Sequence, residues 1–116
     1  MTTWHAATEI ASSWPGVEES TWYRTPALKV AGKGFARLRT EADGKLMVVC
    51  SLAEKQALLA ADDPAFSTTA HYDGYGSILV DLALVDPQQL RELLAEAWRI
   101  KAPRKLLAAS DPAAPA

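Results

Sequence analysis

Five consecutive apolar residues, Leu46-Met47-Val48-Val49-Cys50, stand directly before Ser51, and Glu54 follows three residues later. A run this short and this rich in valine reads as a strand. Side chains alternate across a strand, so an apolar run needs cover on both faces and belongs in the middle of a sheet. Ser51 and Glu54 form a capping box that turns the chain straight into a helix. A strand that feeds a helix without a linker restricts the chain to layered α-and-β architectures.

The remaining elements fit around that anchor. Residues 3–14 read as a helix capped by Thr2 or Thr3, with Trp4, Ala7, Ile10, Ala11 and Trp14 on one face and Pro15-Gly16 as its stop. Residues 17–25 suit an edge strand or an extended loop. Residues 27–39 read as a hairpin around Gly32-Lys33-Gly34, and Asp43-Gly44 is a two-residue hairpin signal. After Ser51, Leu52, Leu58 and Leu59 supply a buried helix face, and Asp62-Asp63-Pro64 ends it. Residues 65–76 are irregular, and residues 77–85 form the last clear strand. Asp86 caps a helix with Pro87 at its first position, and Leu90, Leu93, Leu94, Ala97 and Trp98 make its apolar stripe. Ala102-Pro103 bounds it, with a short continuation through Leu107. The expected fold is α+β, a mainly antiparallel sheet packed with helices. A single domain spans 1–107, and the Ala/Pro-rich tail 108–116 is expected to be disordered.

The hairpin register follows from its apolar residues. A three-residue loop pairs Val30 with Ala36 and Leu28 with Leu38, keeping small and apolar side chains together. That register sets Lys29 opposite Arg37, an unfavourable like-charge pair unless an anion sits between them.

Composition excludes several classes. The 116 residues are 49% hydrophobic and 22% charged, which suits one domain with a sizeable core. The apolar stretches are too short for a transmembrane helix, and Met1-Thr2-Thr3-Trp4-His5 lacks the basic start and apolar run of a secretion signal. The expected location is cytoplasmic, with no membrane partner. Cys50 is the single cysteine, so neither an internal disulfide nor a cysteine-cluster zinc site can form. His5 and His71 lack metal-ligand spacing, and no metal or cofactor is expected. The net charge is −2, yet nine of the twelve bases fall in two acid-free segments. These are Arg24 to Arg39 and Arg99 to Lys105. Segregated charge can mark a surface that meets an anion.

Four landmarks carry a family resemblance. They are Pro15-Gly16-Val17-Glu18-Glu19 after a short helix; Lys29-Val30, Gly32-Lys33 and Phe35-Ala36-Arg37-Leu38; Asp63-Pro64 with Tyr75-Gly76 before a strand; and Ala97-Trp98 with Ala102-Pro103-Arg104-Lys105. In order and spacing the chain resembles the MmcQ/YjbR family from about Trp4 to Leu107. The resemblance implies a frataxin-like (CyaY-like) α+β sandwich, also described as a double-wing arrangement. Members are commonly labelled DNA-binding by analogy with that fold. Gly34 departs from the pattern, which often has a bulkier apolar residue, commonly methionine, before the phenylalanine. Frataxins bind iron along an acidic ridge on the first helix; here that helix carries one acid, Glu9, so iron is not carried over.

The expected function is that of a non-enzymatic binding protein with DNA as the implied ligand. Lys29, Lys33, Arg37 and Arg39 on the hairpin, extended by Arg104 and Lys105, are the candidate phosphate contacts. Lys55, on a helix beside Glu54, lies outside that set. The alternative is a protein- or small-ligand-binding module with a cleft at Trp22, His71 and Tyr75. Cys50 in its apolar strand is expected to be an inert, buried thiol. Glu18 and Glu19 point to opposite sides of an extended chain and make no acid/base pair. Trp98, on a helical stripe, is expected in the core.

Overall fold

In chain order the elements are α1 (Trp4–Ala11), β1 (Val17–Trp22), β2 (Thr25–Val30), β3 (Lys33–Leu38), β4 (Lys45–Val49), α2 (Leu52–Ala60), β5 (Phe66–Ser67), β6 (Ser77–Asp81), α3 (Pro87–Lys101) and α4 (Arg104–Ala109). They come from a computed structural model that describes residues 2–22, 24–39, 45–69 and 74–109. The Asp43-Gly44 turn, His71, Tyr72 and most of the C-terminal tail lie outside the described residues.

The six strands form one antiparallel sheet in the order β1-β2-β3-β4-β6-β5. The apolar run at 46–50 does lie centrally, with β3 on one side and β6 on the other. Leu46 and Val48 are fully buried, and Met47 and Val49 nearly so. Leu28, Ala36, Leu38, Leu46, Val48, Ile78 and Val80 share one face and pack with Leu90, Leu94, Ala97 and Trp98 of α3. Leu58 of α2, Ala7 and Ala11 of α1, and Leu106 and Leu107 of α4 join the same core. All four helices therefore cover one face of the sheet. Among the described residues no helix is long and apolar enough to cross a membrane.

Local signals explain the helix starts. Thr3 caps α1 by accepting from the Ala6 N–H at 3.1 Å, and Ser51 caps α2 from the Glu54 N–H at 3.1 Å. Asp86 accepts from the Gln88 and Gln89 N–H groups, each at 3.1 Å, with Pro87 at the first helical position. Such caps each contribute about 1 kcal/mol. Trp98 is fully buried, and its indole N–H donates to the Pro15 carbonyl at 3.0 Å, tying α3 to the turn after α1.

Three expectations need correction. First, α1 ends at Ala11 rather than residue 14; Trp14 is nonetheless buried, in the turn that follows. The strand expected at 77–85 is likewise shorter and ends at Asp81. Second, Leu52 and Leu59 of α2 are exposed, and Lys55 and Leu58 are the buried residues. Third, the hairpin register differs. Val30 pairs with Lys33 across a two-residue turn, Ala31-Gly32, and Leu28 pairs with Ala36. Lys29 faces Gly34 and Arg37 faces Ala27, so the expected Lys29–Arg37 pair does not form. A tighter turn alone would put Phe35 opposite Leu28 and throw Ala36 and Leu38 onto the wrong face. A bulge at Phe35 supplies the extra residue that restores them. Both turn residues take positive φ, 49° at Ala31 and 83° at Gly32, as the favoured two-residue hairpin turn requires.

Candidate functional site on the outer face of the sheet

Strand alternation sends a second set of side chains away from the helices. One row runs across all six strands: Ser20, Ala27, Arg37, Met47, Leu79 and Ser67. Ala27, Met47 and Leu79 are buried although no described helix covers them. Arg37 is half-buried in this row, between Ala27 and Met47.

Trp22 dominates the neighbouring region. It starts from the end of β1 and reaches diagonally across β2 to Gly34 on β3. A Cβ placed on Gly34 would lie 2.5 Å from Trp22 Cε3 and 2.7 Å from Cζ3. The indole therefore fills the space that a side chain at position 34 would need. Ala27, on the strand between them, is fully buried. This answers the departure noted at Gly34: the missing side chain is replaced by a tryptophan from another strand.

Two cations flank that ring. Lys29 is the ladder partner of Gly34, and Arg37 is the ladder partner of Ala27. The Arg37 guanidinium is oriented by Thr25, whose hydroxyl accepts from Nη1 at 3.2 Å. The same hydroxyl donates to the Trp22 carbonyl at 2.9 Å. One threonine thus links the Arg37 guanidinium to the Trp22 backbone carbonyl. On its other side Lys29 faces Glu18 of β1, an opposite charge rather than a like one. Arg39 follows β3, with its backbone N–H bonded to Lys45 O at 3.0 Å, and shares the Arg37 side by alternation.

The six expected phosphate contacts do not come together on one surface. Lys29, Arg37 and Arg39 belong to the outer face. Arg104 and Lys105 open α4, whose Leu106 and Leu107 pack on the helix side. Lys33 is exposed at the β2–β3 turn, and this turn is bonded to Gly16 through Ala31 N–H at 3.2 Å. Other helix-side bases are engaged locally: Arg99 lies 3.4 Å from Glu96, and Arg91 stands 5.7 Å from the Trp14 ring centre.

Of the alternative cleft, Trp22 and Tyr75 stand far apart on the sheet. β2, β3 and β4 lie between the strand that carries Trp22 and the strand that follows Tyr75, and His71 is outside the described residues. Tyr75 itself is 67% exposed. Its carbonyl accepts from the Lys55 ammonium at 3.0 Å, and Lys55 is buried. Lys55 is therefore a structural tether rather than a spare surface charge, a role that the neighbouring Glu54 concealed in the sequence.

Burial pushes the Cys50 thiol up from 9.0 to about 11, against a smaller lowering by nearby Lys55. It is a buried free thiol, as expected. Among the described residues no group of three or more His, Cys, Asp or Glu side chains is placed to hold a metal ion. A cavity of about 300 Å³ on the helix side is lined by Ser51, Glu54, Gln89, Glu92, Leu93 and Glu96. Its carboxylates disfavour anions, so it is no extension of the cationic outer face.

A family model described as YjbR matches residues 12–100. Uncharacterized proteins of Mycobacterium bovis and Mycobacterium tuberculosis are 44% identical over 55 residues, 47% of this chain. That alignment covers 43% of each relative, so the chain spans less than half of their length. A crystal structure of Deinococcus radiodurans protein DR2400, family-model domain DUF419, matches with a TM-score of 0.75. The match covers 94% of this chain and 88% of that one, at 17% identity, and establishes the shared fold.

Proposed function

The chain belongs to the YjbR family, and from that premise and the outer face of its sheet we infer a cytoplasmic, non-catalytic protein that binds DNA. The observation that carries the reading is the grouping of Lys29 and the Thr25-held Arg37 around Trp22. Fixed cations on a sheet suit phosphates, which give affinity without base specificity. Arg37 is the stronger of the two contacts, because a phosphate at Lys29 competes with Glu18 across the ladder. The net charge of −2 keeps the expected affinity modest and confined to low salt.

The test is a titration with a DNA oligomer at several salt concentrations. Arg37→Ala is expected to weaken binding and to lower the salt slope by roughly one unit. Arg99→Ala, on the helix side, is the reference and is expected to change neither. Absence of binding at low salt, or equal loss from both substitutions, sinks the DNA reading.

A second reading is favoured by Tyr75. Tyr75 is 67% exposed, and its backbone is anchored by a buried lysine, which suits presentation of the ring to a partner. A protein or small ligand docking there would be insensitive to salt, and Tyr75→Ala would remove it.

A further inference from the structure

We propose that the outer face reads an unpaired nucleotide unit, with a base stacked on Trp22 and its phosphates on Arg37 and Lys29, so that the DNA bound is single-stranded. This rests on the DNA reading above and narrows it. Three features of the site support the choice. The Trp22 indole is seated on Gly34, whose missing side chain leaves the room the ring occupies. It is partly exposed, whereas Trp14 and Trp98 are buried in the helix-side core. Two cations stand on β2 and β3, Lys29 opposite Gly34 and Arg37 opposite Ala27, diagonal to one another in the ladder. Diagonal neighbours in a ladder lie about 7–8 Å apart, so the two cations can meet different phosphates of one strand. A duplex, by contrast, hides its base faces, and among the described residues no helix projects from this side of the sheet to enter a major groove. Aromatic platforms beside cations are the usual means of holding unpaired bases.

The shared chemistry, base plus phosphate, could come from a strand or from a free nucleotide, and the assay separates them. Labelled oligothymidylate is titrated at low salt, then an abasic strand of equal length, a duplex of equal length, and thymidine monophosphate as competitor. The expected result is about tenfold tighter binding of oligothymidylate than of the abasic strand, the effect of one stacked base. Binding of the duplex is expected to fall near that of the abasic strand, with the mononucleotide a weak competitor. Trp22→Leu is expected to erase the preference for the intact strand over the abasic one. Because the wild-type comparison needs no substitution, a misfolded variant does not cloud it. Equal binding of intact, abasic and duplex DNA overturns the stacking assignment and leaves the phosphate reading standing. Thymidine monophosphate competing as well as the strand overturns the assignment to a strand. Absence of binding to all of them overturns both readings.

Discussion

Trp22 and Gly34 occupy one site from two strands: the Cε3 atom of the indole lies 2.5 Å from where a Cβ on Gly34 would stand. No L side chain fits at position 34 while Trp22 keeps its place. The residues are twelve apart in sequence, and the strand between them contributes only the methyl of Ala27 at full burial.

Gly34→Ala is accordingly expected to cost about 1–3 kcal/mol, the range of an overpacked site. Trp22→Ala is expected to destabilise as well, through lost cover over Ala27. In the double substitution the clash disappears, so the total loss is expected to be smaller than the sum of the two. Urea denaturation of the four proteins measures this; strict additivity would show that the ring and the glycine do not share the space.

The Cys50 thiol makes stability depend on alkaline pH. Its folded pKa is raised from 9.0 to about 11 by burial. The unfolded chain therefore loses this proton first as pH rises, and the unfolded state gains. The contribution is fully present below pH 9 and is lost between about 9 and 11, on the order of 2–3 kcal/mol in total. Cys50→Ala is expected to flatten that part of the stability profile. At neutral pH the native thiol is expected to label far more slowly than the unfolded chain.

Lys55→Met tests the tether. The substitution keeps the buried stem but removes the donor to Tyr75 O, at 3.0 Å. A loss of roughly 1–3 kcal/mol is expected, since a carbonyl loses a charged partner. Hydrogen exchange is expected to quicken at Ser77, whose N–H is bonded to the same Tyr75 carbonyl at 2.8 Å. Unchanged exchange there would separate Lys55 from the loop.

Ala31 holds a left-handed conformation, φ 49°, ahead of Gly32. Asparagine tolerates that region better than alanine, and Asn-Gly is the preferred sequence for this turn. Ala31→Asn is expected to stabilise the protein by up to about 1 kcal/mol, read as a raised denaturation midpoint. A loss of stability would argue against the two-residue turn.

Much of the fold is legible in the linear pattern. The valine-rich run at 46–50, the Ser51 and Asp86 caps and the Leu90-to-Trp98 stripe each produce the expected element, because their causes are local: alternation, capping and helical period. The α2 surface is less legible. Leu52 and Leu59 sit at helical spacing, but α2 lies at the margin of the core, and the buried position falls to Lys55 because a carbonyl from a distant loop receives its ammonium.

The sequence by itself determined where most strands and helices form and, outside α2, which apolar residues share the core, since those follow from residue type and spacing. The tertiary structure decided the hairpin register, the partner of each cation and the role of Gly34. The reason is that a turn with alanine at positive φ leaves no strong signal, and a bulge at Phe35 reverses the parity that counting residues would assign. It also split the two basic segments, placing Arg37 on the outer face and Arg104 at the start of a helix-side element. Whether charges that cluster along the chain cluster in space depends on which side of the sheet each element packs. That choice is made by long-range burial, here Leu106 and Leu107 against the helix-side core.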